Sequence, residues 1–214
     1  MDHGRTKDQA PRTKESAKRM RGLLIAFEGL DQSGKQTQAE RLRDRVVDAG
    51  RLVRLLSFPA YDTAIGTEIG RALQGDRDYG PDVMQLLYIA NRFEWKPQIE
   101  FELGRATVLI CDRYLASSIA YGEAQGLDAA WLTDIQKYLP QPDVTFLLDI
   151  DPNLSARRKT EDRDKYERDL ALLARVRSSY MRQAETAPGW STLDASRDRE
   201  AVAEDVWNIV NAHL

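Results

Sequence analysis

The amino-acid sequence predicts an α/β fold in which a five-stranded parallel sheet is flanked by helices. Short apolar runs alternate with amphipathic segments of helical length, which is typical of parallel strands joined by crossover helices. A glycine-rich loop follows the first run directly and precedes a segment with helical spacing. The runs lie around residues 23–27, 52–57, 107–111, 144–149 and 191–193.

The segments between these runs carry helix signals. Apolar residues recur at helical spacing after the first loop, and Gly50 is expected to end that helix. Pro81 is expected to begin a long helix that runs towards Gly104, because proline is favoured in the first turn of a helix. The apolar positions are Ala39, Leu42, Val46 and Ala49 in the first helix, and Leu86, Leu87, Ala90 and Phe93 in the long helix.

The composition fits one domain, which we expect to span residues 22–214. A chain of 214 residues that is 42% hydrophobic can bury one sizeable core, and no apolar stretch approaches the length of a membrane span. Residues 1–21 carry seven lysines and arginines against three acidic residues and lack the apolar segment of a secretory signal. We interpret them as a disordered basic tail or a cloning remnant; a nucleic-acid or membrane arm is the alternative. Its charge is modest and no aromatics interleave it, so we expect no nucleic-acid or membrane partner.

Cysteine and histidine usage excludes several kinds of chemistry. Cys111 lies in an apolar run and is predicted to be a buried thiol, so no disulfide framework applies and a reducing cytoplasm fits. The two histidines, His3 and His213, lie near the chain ends. Catalysis by a histidine acid or base and an ordinary His/Cys zinc site are therefore nearly excluded.

The sequence G-L-D-Q-S-G-K, residues 29–35, is typical of a phosphate-binding loop. Its two glycines let backbone N–H groups approach an anion closely, and Lys35 adds a positive charge. The positive end of the following helix is directed to the same place. The next position usually holds a Ser or Thr hydroxyl for magnesium, but here it is Gln36.

Charged residues follow the third and fourth runs. Ligands bind beyond the carboxyl ends of the strands in such sheets, so Asp112 is a candidate magnesium ligand, with a helix N-cap as its alternative role. A strand-end arginine such as Arg113 favours phosphate or carboxylate. The mixed charge run 157–165 is either a solvated helix face or part of a mobile lid, about 152–168, that brings cations to a transferring phosphoryl group.

Several stretches resemble the thymidylate kinases. The four main ones are F-E-G-L-D-Q-S-G-K-Q-T-Q from Phe27, F-P-A-Y-D-T-A-I-G from Phe58, L-L-Y-I-A-N-R-F-E from Leu86 and D-R-Y-L-A-S-S-I-A-Y from Asp112; weaker ones are D-K-Y-E from Asp164 and L-D-A-S from Leu193. The resemblance implies a three-layer P-loop kinase fold with a short lid. It also implies phosphorylation of dTMP to dTDP with ATP and Mg²⁺, a homodimer and a cytoplasmic location.

The resemblance implies that one group of residues binds ATP and its metal. Lys35 and the loop would hold the ATP phosphates, and the loop after the last strand would lie beside adenine. The metal ligands would be Asp112 and Gln36, although Thr37 or a water held by Asp112 could substitute for Gln36. The ATP-binding set is Gly29, Asp31, Gln32, Ser33, Gly34, Lys35, Gln36, Thr37, Asp194, Ala195 and Ser196.

A second group is expected to bind the acceptor nucleotide. Asp31 would face its sugar and phosphate, Tyr88 would stack on thymine, and Arg92 would read a base carbonyl. Arg113 would bind the acceptor phosphate, and Tyr61 stands where several relatives have an arginine near that phosphate. The remaining members of the set are Phe58, Ser117, Ser118, Tyr121 and Tyr166.

The catalytic residues implied by the resemblance are cations and one carboxylate. A nucleoside monophosphate has a second pKa of about 6, so its attacking oxygen is largely ionised at neutral pH and needs no strong base. Some members have a basic residue inside the loop, where this chain has Gln32 and Ser33, so transition-state charge must be met from the lid. The catalytic set is Asp31, Lys35, Arg113 and the lid residues Arg157, Arg158 and Arg163.

Three other functions stay open at this point. A nucleotide-dependent switch protein would need a guanine-reading N-K-x-D, which the sequence lacks. A related kinase could act on another nucleoside or nucleotide. A homologue impaired in turnover could survive as a nucleotide-binding protein, and Gln36 is the feature that favours it.

Overall fold

The computed structural model describes residues 21–158 and 169–214. Within these residues the sheet has five strands in the order β2-β3-β1-β4-β5, and all neighbouring strands run parallel. The predicted α/β class and five-stranded parallel sheet are therefore confirmed. The strands are β1 (Leu24–Glu28), β2 (Val53–Ser57), β3 (Val108–Asp112), β4 (Val144–Asp149) and β5 (Trp190–Asp194).

Helices cover both faces of this sheet. Every side chain of β1 is buried, and successive residues point to opposite faces, so Leu24 packs in one apolar cluster and Ile25 in another. The described helices are α1 (Lys35–Asp48), α2 (Ala64–Gln74), α3 (Pro81–Gly104), α4 (Leu115–Ala124), α5 (Ala129–Ile135), α6 (Pro152–Arg158), α7 (Leu170–Thr186) and α8 (Arg199–Asn211). The first cluster includes residues of α3, and the second includes residues of α1, α7 and α8.

The two helices predicted in detail are present, with differences in their buried faces. Helix α1 buries Leu42 and Val46 as expected, but Ala49 is exposed just beyond its last turn. Helix α3 begins at Pro81 and ends at Gly104 as predicted. Its Leu86 is 46% exposed, whereas the polar Arg92 is buried. Apolar spacing located α3 correctly, yet it did not identify the face that packs inward.

The strand register brings the carboxyl ends of three strands together. Phe27 of β1 pairs with Asp112 of β3, and Ser57 of β2 pairs with the same residue. The residues that follow these strands therefore meet at one edge of the sheet. Cys111 is buried and free, as predicted.

Parts of the sequence predictions lie outside the described residues. Of the predicted tail, 1–21, only Arg21 is described, and of the predicted lid, only 152–158. Among the helices described, none is long and apolar enough to cross a membrane.

Candidate active site

The loop between β1 and α1 turns back on itself around a main-chain carbonyl. Gly29 has a φ of +137°, and a Cβ at this position would lie 2.5 Å from the carbonyl oxygen of Leu148, so only glycine fits. The carbonyl oxygen of Leu30 accepts hydrogen bonds from Lys35 Nζ at 2.7 Å and from the Ser33 amide at 3.3 Å. The loop thus places Lys35 at the start of α1 and directs its ammonium group inward.

Lys35 is a buried cation. Its side chain is 6% exposed, and Nζ lies 4.0 Å from Asp31 Oδ1. Burial, together with the charge of Arg113, lowers the pKa of Lys35 to about 8, against the opposing pull of Asp31 and Asp112. An anion that enters the site would favour the charged form of this lysine.

Arg113 connects the loop to the end of β3. It has a φ of +63°, a conformation that a non-glycine residue rarely adopts, and its Nη2 donates to Asp31 Oδ1 at 2.5 Å. Burial opposes ionisation of Asp31, but the charges of Arg113 and Lys35 outweigh it and hold the pKa of Asp31 well below its ordinary value. The Tyr121 hydroxyl also donates to Asp31, at 3.3 Å.

A fully buried carboxylate lies behind Arg113. Glu28 Oε1 accepts from the Tyr114 amide at 2.8 Å, and Oε2 accepts from Ser117 Oγ at 2.6 Å and Tyr180 Oη at 3.1 Å. Nη1 of Arg113 donates to the same two hydroxyl oxygens, at 3.3 and 3.4 Å. Glu28 therefore holds the two hydroxyls that orient the arginine.

One cavity of about 390 Å³ joins this cluster to α3 and α4. It brings together most of the residues predicted from the sequence. Those that line it are Asp31, Gln32, Gly34, Lys35, Gln36, Thr37, Phe58, Tyr61, Tyr88, Arg92, Asp112, Arg113, Ser117, Ser118 and Tyr121. Ser57, Pro59, Leu73 and Gln85 also line it and were not predicted.

Arg92 is a buried cation that lines this cavity. Its Nη1 donates to Ser118 Oγ at 2.7 Å, and its guanidinium lies 5.9 Å from the centre of the Phe58 ring. Burial lowers the pKa of Arg92, and Glu28 provides the main opposing charge. Its Nε is buried with no hydrogen-bond partner among the described residues. The guanidinium group thus lies in the wall of the cavity with one donor that no described residue binds.

Asp112 fits the role of a magnesium ligand. Its Oδ1 is buried without a hydrogen-bond partner in the described part of the chain, and the residue lines the cavity beside Lys35 and Thr37. In residues 21–158 and 169–214, no group of three or more His, Cys, Asp or Glu side chains is placed to hold a metal. Mg²⁺ binds readily through one or two carboxylates, waters and substrate phosphates, so Asp112 suits it without such a cage.

Gln36, the other predicted metal ligand, lines the cavity and also contacts the next turn of α1. It is exposed, and its Nε2 donates to Glu40 Oε1 at 2.9 Å, one turn further along α1. Its amide nitrogen is therefore directed along the helix surface.

The described residues of the predicted lid contact the phosphate-binding loop and the loop after β5. Arg158 donates to the carbonyl oxygens of Gln32 and Ala195, both at 3.1 Å, so it connects the phosphate-binding loop to the loop after β5. Ser155 Oγ donates to the Asp31 carbonyl oxygen at 2.6 Å. In the loop after β5, Asp194 Oδ1 accepts from the Ser196 amide at 2.8 Å. Arg157 is exposed, and Arg163 and Tyr166 lie outside the described residues.

Sequence reasoning missed Glu28, Tyr180 and Gln85. Glu28 lies in the quoted motif F-E-G, and a carboxylate inside an otherwise apolar strand was a signal that could have been used. Tyr180 gave no local signal, because it contacts Glu28 across 152 positions of the chain. Gln85 lies on the buried face of α3, which apolar spacing did not identify.

The fold and the cavity define a class of protein. A phosphate-binding loop at the carboxyl edge of a parallel sheet opens into an arginine-lined pocket, which is the arrangement of a P-loop kinase that acts on a second nucleotide. A family model described as thymidylate kinase matches residues 27–206. The chain therefore belongs to the thymidylate kinase family and is an ATP-dependent nucleoside monophosphate kinase.

Individual relatives agree with this assignment. The thymidylate kinase of Schizosaccharomyces pombe is 34% identical over 199 residues, covering 91% of this chain and 94% of that protein. The thymidylate kinase of Homo sapiens is 33% identical over 187 residues, covering 87% and 88%. The structure of a thymidylate kinase from Candida albicans, described as having broad substrate specificity, gives a TM-score of 0.81 at 30% identity, with 90% of this chain and 92% of that chain covered.

Proposed function

We propose that the protein transfers the terminal phosphoryl group of ATP to dTMP, which yields ADP and dTDP. The observation that carries this proposal is one cavity that is lined by Lys35, by the Asp31–Arg113 pair and by the buried Arg92. Such a cavity suits two phosphate groups and a polar ring. Membership of the thymidylate kinase family makes dTMP the acceptor to expect.

The described residues supply charge and orientation for this reaction. Lys35 and the loop amides would hold the ATP phosphates, and Arg113 would bind the acceptor phosphate beside them. An acceptor monophosphate has a second pKa of about 6, so its oxygen is largely ionised at neutral pH and needs no base. Mg²⁺ held at Asp112 would neutralise charge on the phosphate oxygens when bound. Catalysis then rests on bringing the two polyanions into line.

Arg92 supports the choice of base. A guanidinium donates hydrogen bonds and cannot accept them, so it favours a ring carbonyl over an exocyclic amino group at the same position. Tyr88 lines the same cavity and would stack on the ring, and Tyr121 would lie beside the sugar. This arrangement favours dTMP over dCMP as acceptor.

Transition-state charge would be completed from the lid. Of the described lid arginines, Arg158 already reaches the phosphate-binding loop through the Gln32 carbonyl oxygen at 3.1 Å, and Arg157 is exposed nearby. Arg163 lies outside the described residues and keeps the same proposed role. We also propose a homodimer and a cytoplasmic location.

Steady-state ADP release tests the proposed function. MgATP would be supplied with dTMP, dUMP, dCMP, dGMP or thymidine in separate assays, with an assay without acceptor as the control. We expect the highest kcat/KM with dTMP and much less with dCMP. Comparable values for several acceptors would indicate a broader enzyme, and turnover with thymidine alone would indicate a nucleoside kinase. Binding of dTMP without turnover of any acceptor would instead support the impaired homologue.

A further inference from the structure

Gln85 carries a buried carboxamide that has no role in the phosphoryl transfer proposed for this protein. The residue is 1% exposed and lines the cavity. Both of its amide atoms, Nε2 and Oε1, are buried and have no hydrogen-bond partner within residues 21–158 and 169–214. Buried side-chain amides are nearly always hydrogen-bonded, so two unpaired atoms on one side chain call for a partner.

The cost of this arrangement indicates a functional reason for the residue. A buried amide without partners is less favourable than an apolar side chain of the same size, because its bonds to water are lost and not replaced. A leucine would fill the same space without that cost. A group that enters the cavity and pairs with both amide atoms would explain the glutamine.

The position of Gln85 places it among the residues proposed to bind the base. Gln85, Tyr88 and Arg92 follow one another at intervals of three and four residues on α3, so they lie on one face of the helix. All three line the cavity. Arg92 also keeps a buried Nε with no partner among the described residues. The three side chains therefore line the same space, and the unpaired amide atoms of Gln85 and the unpaired Nε of Arg92 are buried in its wall.

Helix α4 leaves room for the side chain of Gln85. A Cβ at Gly122 would lie 3.2 Å from Gln85 Cγ, which is a tight contact, and 2.5 Å from Leu132 Cδ1. Gly122 directly follows Tyr121 and lies one turn beyond Ser118, both of which line the cavity. The glutamine stem thus packs against α4 at the wall that Ser118 and Tyr121 form.

We propose that the carboxamide of Gln85 binds the imide edge of the pyrimidine ring. Oε1 accepts from the ring N3–H and Nε2 donates to a neighbouring ring carbonyl, while Arg92 donates to the other carbonyl. Thymine and uracil present this sequence of acceptor, donor and acceptor, and a carboxamide carries the matching donor and acceptor side by side. The inference rests on the proposed function, because it names a further contact of the same acceptor.

Gln85 and Arg92 contribute differently to the selection of thymine over cytosine. A carboxamide can rotate by half a turn, so Gln85 could also pair with the N3 and amino group of cytosine. Arg92 only donates, and it therefore carries the discrimination against an amino group. Gln85 contributes affinity and fixes the orientation of the ring.

The variant Gln85→Leu tests the inference, with the Kd of dTMP measured by calorimetry and the kinetics of ADP release measured alongside. We expect the Kd and KM of dTMP to rise about tenfold, as for the loss of one or two hydrogen bonds, and kcat to stay within about twofold. The Tm of the free protein should stay equal or rise, since the unpaired amide is gone. A lower Tm with an unchanged Kd would overturn the inference, because the amide would then act within the fold, for example on an internal water.

An acceptor analogue locates the contact on the ring. N3-methyl-dTMP cannot donate from N3, so it should bind the wild-type protein more weakly than dTMP does. The penalty should be smaller in Gln85→Ala, which removes the acceptor and leaves space for the methyl group. Equal penalties in the two proteins would show that Gln85 does not face N3.

Gln136→Leu is the matched control. Gln136 is 2% exposed and its Oε1 is also unpaired among the described residues, but its Nε2 donates to the Leu115 carbonyl oxygen at 3.2 Å and it does not line the cavity. Its replacement should leave the Kd of dTMP unchanged.

Gln85→Met keeps the unbranched shape and gives the same readouts if Gln85→Leu does not fold. Absence of wild-type turnover would reject the proposed function, whereas the Kd values test Gln85 independently of turnover.

Discussion

Buried charge dominates this site at the scale of single residues. Glu28, Lys35 and Arg92 are each at most 6% exposed, and the charges of Asp31 and Arg113 lie between them. Each charge is held by hydrogen bonds or by an opposite charge, which keeps burial tolerable. Among the described residues, Gln85, Arg92 and Asp112 line the cavity and each keeps a buried polar atom without a hydrogen-bond partner. The charged groups of the site are therefore held in place by contacts within the protein.

Replacement of Glu28 should disturb Arg113 and leave the ATP side intact. In Glu28→Gln one oxygen acceptor becomes an NH₂ donor, which opposes the Tyr114 amide or the two hydroxyls that now donate to the carboxylate. We expect kcat/KM for dTMP to fall between about 10- and 100-fold through misplacement of Arg113, with the KM of ATP changed little. The free energy of unfolding should fall by about 1–3 kcal/mol. Steady-state kinetics and urea unfolding measure the two effects.

Tyr180→Phe serves as the graded comparison for Glu28→Gln. It removes one hydroxyl that contacts both Glu28 and Arg113, so its kinetic effect should be smaller and in the same direction. Equal losses in the KM of ATP and of dTMP for Glu28→Gln would contradict a positioning role and indicate a general loss of folded protein.

The pKa of Lys35 predicts proton uptake when ATP binds. The pKa is lowered to about 8 in the free protein, so the lysine loses its charge as the pH rises through that value. The phosphates of ATP favour the charged form and raise this pKa. Binding should therefore take up about half a proton at pH 8 and close to one proton only well above that pH, and the affinity for ATP should fall as the pH increases.

Calorimetry at pH 8.5 in two buffers of different ionisation enthalpy measures this proton uptake. Adenosine, which lacks phosphates, is the control and should bind without uptake at Lys35. An ATP affinity that stays constant from pH 7 to 9.5, with no proton taken up, would show that Lys35 is fully charged in the free protein.

At the scale of elements, the first turn of α1 departs from the usual phosphate-binding loop at Gln36. Because the Gln36 amide is exposed and donates to Glu40, we expect Gln36→Thr to keep or raise activity. A threonine hydroxyl would supply the usual metal ligand at the same position. Kinetic titration with Mg²⁺ at saturating nucleotide measures both kcat and the Mg²⁺ concentration that gives half of the maximal activity. We expect kcat to stay equal or rise, and the Mg²⁺ concentration for half activation to stay equal or fall.

Gln36→Ala separates the loss of the contact with Glu40 from the gain of a threonine hydroxyl. It removes the contact with Glu40 without adding a hydroxyl, so its activity should stay near that of the wild type if Asp112 and waters already hold the metal. A loss of more than tenfold in both variants would mean that the Gln36 carbonyl binds the metal or a phosphate directly.

The elements show what the sequence could predict and why. Strands and the phosphate-binding loop were predictable because their signals are local: an apolar run, then glycines at fixed spacing, then Lys35. The inward face of α3 was not predictable by apolar spacing, because that face carries Gln85 and Arg92 and serves a cavity. Polar residues on a buried face break the local pattern at the place where we propose that the base binds.

For the whole molecule, long-range contacts set the part of the site that the sequence did not indicate. Glu28 meets Tyr114 across 86 positions and Tyr180 across 152, and both contacts depend on how α4 and α7 pack against the sheet. Arg158 likewise reaches Gln32 across 126 positions. The resemblance to thymidylate kinases named the residues of the matching motifs and could not name partners outside them.

The exposed surface of α3 predicts that the protein forms a dimer. Val83, Leu86 and Phe101 are 38%, 46% and 58% exposed. Their helical positions fall within a narrow arc, so Val83 and Leu86 near the start of α3 and Phe101 near its end form a stripe of exposed apolar side chains that is spread over about 27 Å of one side of the helix. An exposed apolar stripe of this length is unfavourable in water and suits burial against a second copy.

Light scattering after size exclusion should give twice the chain mass for the wild type, and Leu86→Glu should shift it towards the single-chain mass. Tyr138→Glu, at a side chain that is 68% exposed outside this stripe, should leave the mass unchanged. A single-chain mass for the wild type at micromolar concentration would exclude the dimer and leave the stripe open to another partner.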